Sequence, residues 1–364
     1  MRAAIALALL CAACTLQPPR AEETCPSPPG FAAAGGGLRD LAGARLRIGS
    51  ALDAYPLQAF APYREAAARE FDLATPENEL RWGVLHPGPD RFNFCPADSI
   101  AAFARDHGMQ LRGHTLVWGE RLPDWLTRTG YSREELVELL HAHIRTVIGH
   151  YRAQFPGLIR QWDVVNEAVA DCEGPQPCGL KHNFWFRALG PEYVELAFRF
   201  AREADPDAKL FYNDYGTEMD TPAARAKRDG VLRLLTALRG RQVPVDGVGL
   251  QYHVVAGLPL ANAKNLLRRY AAAGLEIAVT EMDVTTGSDS PDAAMFRQQA
   301  RTYRAVLDAC LGQPACRTFA SWGFTDAVSW RKPDPACLLD AEYRPKPAYQ
   351  ALRARLQSAG KSAP

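Results

Sequence analysis

Two apolar segments that end in glutamate decide how this chain is expected to fold: Gln161-Trp162-Asp163-Val164-Val165-Asn166-Glu167 and Glu276-Ile277-Ala278-Val279-Thr280-Glu281-Met282-Asp283. Each has the pattern of a buried strand with a carboxylate at its carboxyl-terminal tip. In a barrel of parallel strands, catalytic groups lie at these tips. Glu167 and Glu281 are therefore candidate functional residues on two strands far apart in the sequence.

Strand-like and helix-like segments alternate on both sides of these two stretches. Amphipathic helices are predicted at 63–71, 97–107, 133–155, 192–204, 223–239, 260–273 and 292–311, and strands at 46–52, 73–75, 111–118, 160–166, 209–213, 247–252, 277–281 and 318–324. Alternation of this kind indicates parallel strands joined by helical crossovers. Eight such units indicate the α/β class and a single (β/α)8 TIM barrel, predicted over residues 43–358.

Short segments flank the predicted barrel. Residues 15–42 are rich in Pro, Gly and Ala and are predicted to form a tether, and residues 359–364 a short polar tail. No linker, low-complexity block or internal repeat marks a second domain in the sequence. The chain is expected to be monomeric.

The first 14 residues have the features of an export signal. Arg2 precedes an apolar run over residues 3–13 that is too short to span a bilayer. Cys14, after two small residues, resembles the lipidated cysteine of bacterial lipoproteins, although Cys11 replaces the usual leucine. Ordinary signal-peptidase cleavage nearby is the alternative to a lipid anchor at Cys14. Either way, the protein is expected to be exported and to be periplasmic, anchored to the outer membrane or extracellular.

Composition and charge exclude several classes of partner. Hydrophobic residues make up 47% of the chain and charged residues 23%, which is ordinary for a globular enzyme. The formal net charge is +1, and no basic run is interleaved with aromatic residues. Neither nucleic acid nor an anionic membrane surface is therefore an expected partner.

Nine cysteines fit an oxidising destination, and seven of them follow the leader. Two pairs share the spacing Cys-x5-Cys, so disulfides are predicted from Cys172 to Cys178 and from Cys310 to Cys316. A metal site is the competing explanation, but neither pair has a Cys-x2-Cys or His-x3-His companion, and no metal is predicted. At most one further bridge is available to Cys25, Cys95 and Cys337.

Polar and aromatic residues collect where the other predicted strands end. The stretches are Thr75-Pro76-Glu77-Asn78, Arg112-Gly113-His114-Thr115-Leu116-Val117-Trp118, Asn213-Asp214-Tyr215, Gln251-Tyr252-His253 and the residues from Trp322 to Trp330. Aromatic faces beside amides, carboxylates and imidazoles suit a sugar ring, whose CH faces stack and whose hydroxyls need directional partners. A facing pair of carboxylates can cleave a glycosidic bond, because one protonates the leaving oxygen while the other attacks or activates water.

Each feature taken alone has a simpler explanation. Asn166 and Glu167 are favourable residues at a helix start, and Glu281 is explained equally well as a solvated loop charge. His114 alone is explained as a hydrogen-bonded core histidine. A metal hydrolase using His114, His253 and a carboxylate lacks a His-x-His or His-Glu-x-x-His signature. The joint occurrence of paired carboxylates, aromatics and histidines favours a sugar-cleaving site.

Seven motifs, in one order, resemble those of glycoside hydrolase family 10, the retaining endo-β-1,4-xylanases. They lie at residues 75–78, 112–118, 162–167, 213–215, 249–253, 280–283 and 322–330. The similarity covers essentially the whole region from Leu46 to Leu356. It implies a barrel that hydrolyses internal β-1,4 linkages of a β-glycan, without a metal or organic cofactor.

The resemblance also implies residue roles. Glu167 would be the general acid/base and Glu281 the nucleophile, with Asn166 holding the sugar 2-hydroxyl. His253 would orient Glu281, and Asp283 would support His253. The residues implied in substrate binding are Glu77, Asn78, Arg81, His114, Trp118, Arg121, Gln251, Trp322 and Trp330. A nucleophile must be ionised and an acid protonated, so Glu281 needs hydrogen-bond donors and Glu167 an apolar setting beside a negative charge.

The chain departs from the family pattern on the glycone side of the expected cleft. Arg81 stands where family members usually have lysine, and Gly119 and Arg121 replace a usual histidine and glutamine. We expect the missing side chain at Gly119 to open space, and two guanidinium groups would suit a carboxylate. The alternative is that Arg81 replaces the lysine directly and Arg121 pairs with Glu120 at the rim.

Three functions compete on this sequence. The first is a retaining endo-β-1,4-xylanase that acts by double displacement. The second keeps the chemistry but acts on another β-glycan, such as an acidic bacterial exopolysaccharide. The third is an inactive barrel that only binds polysaccharide, which the presence of both glutamates argues against.

Overall fold

The computed structural model describes residues 25, 28–29, 35–172, 174 and 176–360. The predicted signal at 1–14, most of the predicted tether and residues 361–364 lie outside this part of the chain. Among the described helices, none combines the length and the hydrophobicity of a membrane-spanning segment.

The strands lie where the apolar runs predicted them, with shifted ends. They are β1 (Arg47–Leu52), β2 (Leu73–Pro76), β3 (Gln110–Trp118), β4 (Ile159–Asn166), β5 (Lys209–Asp214), β6 (Gly247–Leu250), β7 (His253–Val255), β8 (Glu276–Thr285) and β9 (Cys316–Ser321). Most of these residues are buried, because helices cover the outer face and side chains fill the interior of the barrel.

Parallel pairing closes the sheet on itself. Strands β1 to β6 pair in sequence order, β6 pairs with β8, β8 with β9, and β9 returns to β1. The closing register sets Ile48 opposite Phe319. The short strand β7 pairs with β8, beyond the end of β6. The predicted (β/α)8 barrel is confirmed, and every strand points its carboxyl end towards one mouth.

Helices surround the barrel. They are α1 (Leu38–Ala42), α2 (Ala54–Ala59), α3 (Ala61–Glu70), α4 (Trp82–Leu85), α5 (Cys95–Asp106), α6 (Asp124–Arg128), α7 (Arg133–Gln154), α8 (Phe184–Leu189), α9 (Glu192–Ala204), α10 (Pro222–Gly240), α11 (Ala263–Ala272), α12 (Ala293–Leu311) and α13 (Pro347–Gly360), with a 3-10 turn at Gly43–Arg45. Local sequence sets their starts: Ser132 and Glu135 form a capping box at α7.

The ordered barrel begins earlier and ends later than the predicted limits. Helix α1 lies within the predicted tether, but Leu38 is fully buried and its backbone N–H donates to the Glu70 carboxylate at 3.0 Å. At the other end, α13 packs on α12 and runs to Gly360, into the predicted tail. Both terminal helices therefore belong to the outer layer of the barrel.

The sixth and eighth predicted strands end sooner than expected. Strand β6 stops at Leu250, because Tyr252 has a backbone φ of +57°, which turns the chain before β7 starts. Strand β9 stops at Ser321, so Trp322 begins a loop. These turns place the residues after the strands over the mouth of the barrel.

A polar cluster lies inside the barrel beneath the mouth. The Arg112 guanidinium is fully buried and donates to the Asp163 carboxylate and to the Gln161 amide oxygen at 2.7 Å. On the opposite face of β3, a Cβ at Gly113 would lie 2.0 Å from the Trp162 ring. Only glycine leaves room there for the indole between barrel and helices.

Candidate active site

The two predicted catalytic glutamates lie at the same mouth of the barrel. Glu167 directly follows β4, and Glu281 lies within β8. Their side chains are 12% and 5% exposed, so both are largely withdrawn from solvent. Glu167 has a backbone φ of +56°, an uncommon conformation for a non-glycine residue that marks a constrained strand end.

Glu281 is surrounded by hydrogen-bond donors. Asn213 at the end of β5 donates its amide to Oε1 of Glu281 at 2.6 Å. Oε2 lies 3.2 Å from Nε2 of His253, whose Nδ1 lies 2.8 Å from the Asp283 carboxylate. The imidazole therefore lies between two carboxylates, and its hydrogen bonds together with the Asn213 amide constrain the orientation of Glu281. It is the environment the sequence required of a nucleophile.

Strong electrostatic contacts define the charge of His253. Burial lowers the pKa of His253, but Asp283 and then Glu281 outweigh burial and raise it from 6.5 to about 10. The imidazole is therefore a cation at neutral pH. Asp283 in turn accepts hydrogen bonds from the Trp330 indole at 2.9 Å and from Arg331 at 3.0 Å.

Glu167 has a different environment. The Trp118 indole donates to Oε2 at 3.0 Å, and the Gln251 amide donates to Oε1 at 3.0 Å. The Lys181 ammonium lies 3.7 Å from Oε2. Glu167 is thus held by two neutral donors and one looser cation, whereas Glu281 faces a tightly bound imidazolium.

Side-chain amides link the two carboxylates through Asn166. The Asn213 amide that donates to Glu281 also donates to the Asn166 oxygen at 2.9 Å. The Gln251 amide that donates to Glu167 lies 3.4 Å from the same oxygen. These contacts join the ends of β4, β5, β6 and β8 into one network, so the positions of the two glutamates depend on each other.

His114 is both a hydrogen-bonded core histidine and a neighbour of the candidate nucleophile. It is buried, and its Nδ1 lies 3.0 Å from the Asp163 carboxylate that Arg112 also binds. Yet the same nitrogen is only 3.9 Å from Glu281, and the ring meets Trp322 edge-on with 5.2 Å between centroids. The core of the barrel therefore fixes an imidazole at the floor of the site.

The loop after β2 brings Glu77, Asn78 and Arg81 to one side of the mouth. Burial, followed by the charges of Asp53 and Glu79, raises the pKa of Glu77 from 4.5 to about 8. Glu77 is therefore mostly protonated at neutral pH. The Arg81 guanidinium carbon lies 5.3 Å from the centre of the Trp118 ring, a cation–π distance.

The expected space at Gly119 does not exist. A Cβ at this glycine would lie 2.6 Å from the Asn183 side chain, which fills the position. Asn183 is held there because its oxygen accepts the Phe186 N–H at the start of α8. The pairing of Arg121 with Glu120, which the sequence offered as an alternative, is also absent among the ion pairs of the described residues. Both corrections come from contacts between loops, which local sequence does not reveal.

The comparisons with known proteins agree with this geometry. The family model described as Glycosyl hydrolase family 10 matches residues 37–355. The chain belongs to this family.

Relatives of family 10 match over most of the chain. Endo-1,4-beta-xylanase B of Thermotoga neapolitana is 41% identical over 297 residues, which cover 80% of this chain and 82% of that protein. Endo-1,4-beta-xylanase A of Caldicellulosiruptor sp. (strain Rt8B.4) is 37% identical to this chain. The match covers 79% of this chain but only 43% of the length of that protein.

Solved family 10 structures superpose closely. Xylanase 10B of Thermotoga petrophila RKU-1, in complex with xylobiose, has a TM-score of 0.80 at 38% identity, covering 91% of this chain and all of that one. Native xylanase 10B of Thermotoga maritima has a TM-score of 0.82 at 38% identity, covering 90% of this chain and all of that one.

Of the three tryptophans predicted to bind substrate, Trp322 and Trp330 differ most clearly in exposure. Trp322 is 4% exposed and packs against His114 and His253, so it forms part of the floor. Trp330 is 51% exposed, although its indole N–H is anchored on Asp283. An exposed but anchored indole offers a fixed apolar face to a sugar ring.

Three residues without a role predicted from the sequence contact the candidate catalytic and supporting groups. Asn213 bridges Glu281 and Asn166, Lys181 lies beside Glu167, and Arg331 binds Asp283. A signal existed for Asn213 and Arg331, because one lies in a quoted motif and the other follows Trp330 directly. Lys181 lies in a loop with no motif assigned to it.

The predicted cysteine pairs are brought together. Sulfur atoms of Cys172 and Cys178, and those of Cys310 and Cys316, lie at bonding distance, with Cα separations of 5.8 and 5.2 Å. The first pair lies in the loop that follows Glu167. In the part of the chain that is described, no group of three or more His, Cys, Asp or Glu side chains could hold a metal ion.

Proposed function

We propose that this family 10 glycoside hydrolase is a retaining endo-β-1,4-xylanase that uses Glu281 as nucleophile and Glu167 as acid/base. The observation that carries the proposal is the contrast between the two carboxylates. Glu281 is bound by the Asn213 amide and the His253 imidazolium, whereas Glu167 has neutral donors and one looser cation. Retaining hydrolysis assigns different roles to its two carboxylates, and the imidazolium lies beside Glu281, the one that attacks.

In the first step, Glu281 attacks the anomeric carbon while Glu167 donates its proton to the leaving glycosidic oxygen. The bond from the anomeric carbon to that oxygen breaks, and an ester to Glu281 forms. The His253 imidazolium keeps its hydrogen bond to Glu281 and orients the attacking oxygen.

In the second step, the deprotonated Glu167 takes a proton from water, and the water oxygen attacks the anomeric carbon. The ester bond breaks, Glu281 becomes a carboxylate again, and Glu167 regains its proton. Two inversions leave the product with the β configuration of the substrate.

Relatives favour xylan over the alternative substrates. The most similar proteins named above are endo-1,4-beta-xylanases, and one solved structure holds xylobiose. The complete network around both glutamates argues against an inactive polysaccharide-binding barrel, because binding alone has no need of an oriented nucleophile. The mouth residues Trp118, Trp322 and Trp330 supply aromatic faces for sugar rings.

The test measures the anomeric configuration of the product, and it uses variants to separate formation of the glycosyl-enzyme from its breakdown. We expect NMR to show the β-anomer forming first from xylo-oligosaccharides. Glu281→Ala should abolish hydrolysis. Glu167→Ala should spare the first step with an aryl xylobioside that has a good leaving group, but should slow breakdown of the glycosyl-enzyme, because water then lacks a base.

Glu276→Gln is the matched control, since Glu276 begins the same strand as Glu281 but lies at the opposite end of the barrel. It should leave xylan hydrolysis close to the wild-type rate. Initial release of the α-anomer would contradict the mechanism, as would carboxyl groups of Glu167 and Glu281 separated by much more than about 5–5.5 Å in a substrate complex.

We also propose that residues 1–14 direct export, on the sequence pattern alone. Lipidation at Cys14 should appear as palmitate labelling that Cys14→Ala removes, with the enzyme in the membrane fraction. A soluble, unlabelled exported enzyme would instead support ordinary cleavage. Retention in the cytoplasm would contradict export.

A further inference from the structure

Two arginines, Arg81 and Arg121, lie side by side on one rim of the mouth, here called the arginine rim. Arg81 follows β2 and immediately precedes α4, and Arg121 follows β3. Their loops touch through the backbone, because the Gly83 N–H donates to the Arg121 carbonyl at 2.9 Å. A Cβ at Gly83 would lie 2.7 Å from that oxygen, so only glycine permits this approach.

The Arg81 side chain packs at the Trp118 ring, beside the candidate acid/base Glu167. The same indole donates to the Glu167 carboxylate. The Arg81 Nε is buried and has no hydrogen-bond partner within the described part of the chain. Among the described residues, Arg81 also takes part in no salt bridge. A buried donor without a partner is costly, so a ligand atom that accepts from it would gain affinity.

The Arg121 side chain is exposed and donates no hydrogen bond to any described residue. It forms no ion pair with Glu120, its acidic neighbour in sequence, across the part of the chain that the structure covers. Its backbone has a φ of +56°, held by the contact with Gly83. The position of Arg121 is therefore set by the backbone, which leaves its guanidinium available.

The acidic groups near the arginine rim do not neutralise its positive charge. Burial lowers the pKa of Arg81, Glu77 and Glu281 oppose this, and the neighbouring charge of Arg121 lowers it further. Glu77 nevertheless carries a proton at neutral pH, since its pKa is about 8, and Glu281 already has the His253 imidazolium. The two arginines therefore lie on adjoining loops as neighbouring positive charges, and Glu77 in its protonated form does not offset them.

We propose that the arginine rim binds a carboxylate carried by the substrate, so that the enzyme prefers xylan bearing uronic-acid branches over the neutral polymer. This inference rests on the proposed function, because it assumes that the same cleft binds xylan. Arginine donates in a planar fork that matches a carboxylate, and two neighbouring forks attract a single anion more strongly than neutral hydroxyls do. The competing interpretation is that Arg81 binds neutral hydroxyls and Arg121 remains solvated.

The experiment compares one polymer before and after its charge is removed. Xylan with glucuronic-acid branches is assayed beside the same xylan after reduction of its carboxyl groups to alcohols, and beside unbranched xylohexaose. The readout is the ratio of kcat/KM on the acidic polymer to kcat/KM on the reduced polymer. We expect Arg121→Gln to lower this ratio by about 10- to 100-fold, as expected for loss of a charge-assisted hydrogen bond.

Two further variants sharpen the result. Arg121→Lys keeps the charge but loses the fork, so its ratio should lie between those of wild type and Arg121→Gln. Arg145→Gln is the matched control, because Arg145 is an exposed arginine of α7. Its ratio should equal that of wild type.

The outcomes separate this inference from the proposed function. Hydrolysis of xylohexaose with retention, combined with a ratio that Arg121→Gln leaves unchanged, would overturn the arginine rim and leave the xylanase intact. A wild-type ratio near one would do the same. Failure to hydrolyse any of the three substrates would instead overturn the proposed function. A ratio lowered most in Arg121→Gln, less in Arg121→Lys and not in Arg145→Gln would support the rim.

Discussion

The charge on His253 leads to a measurable change of stability with pH. In the variant His253→Gln, the two carboxylates of Asp283 and Glu281 lose the cation between them. Removing one partner of a buried ionic contact costs about 3–5 kcal/mol of unfolding free energy. We therefore expect the wild type to be more stable than His253→Gln by about this amount near pH 6.5.

The sign follows from a pKa raised on folding. Because the pKa of His253 rises from 6.5 to about 10, folding favours the protonated imidazole by about 5 kcal/mol as an upper value. This stabilisation is complete below pH 6.5 and is lost as the pH rises towards 10. Between these limits the advantage of the wild type should shrink by about 1.4 kcal/mol for each pH unit.

Urea unfolding at pH 6.5, 7.5, 8.5 and 9.5 would measure the difference in unfolding free energy between the two proteins. Other titrating groups are shared by both, so they largely cancel in that difference. His141→Gln, on the outer helix α7, is the control and should show no such trend. A difference between wild type and His253→Gln that stays constant from pH 6.5 to 9.5 would refute the assignment of a charged imidazole.

Two further predictions concern loops around the mouth. Replacing Cys172 and Cys178 by serine should lower the unfolding free energy by no more than about 2 kcal/mol, since the closed loop is short. The same change should increase proteolysis of the segment after Glu167. Mass mapping that finds free thiols in the exported protein would contradict the bridge. Gly119→Ala should destabilise by about 1–3 kcal/mol through its clash with Asn183, whereas Gly149→Ala, in open space on α7, should be neutral or stabilising in the same thermal melts.

Much of the fold was predictable because its signals are local. Buried parallel strands appear as short apolar runs, and the helices between them have amphipathic patterns, so the alternation alone indicated the barrel. The strand ends were less predictable. Strand β6 ends where Tyr252 adopts a positive φ, and β8 continues past Glu281 to Thr285 because it pairs with β7.

The candidate site was predictable as a set of residues, because parallel strands bring their carboxyl ends together. The individual contacts between these side chains were harder to predict from the sequence. The link from His253 to Asp283 was expected from the resemblance, but the bridge that Asn213 makes between Glu281 and Asn166 was not. It depends on three strands meeting at one height in the barrel.

The sequence by itself determined the barrel, the two glutamates and the aromatic residues of the mouth. The barrel follows from the alternating strand and helix patterns, and the site residues follow from the strand ends and the order of the motifs. Only the tertiary structure showed that Asn183, from a distant loop, fills the space beside Gly119. It also showed that Arg121 forms no ion pair with Glu120 among the described residues. The physical reason is the same in both cases. Side-chain partners at a barrel mouth come from loops far apart in sequence, so packing between loops, not neighbouring residues, sets the space and charge that a substrate meets.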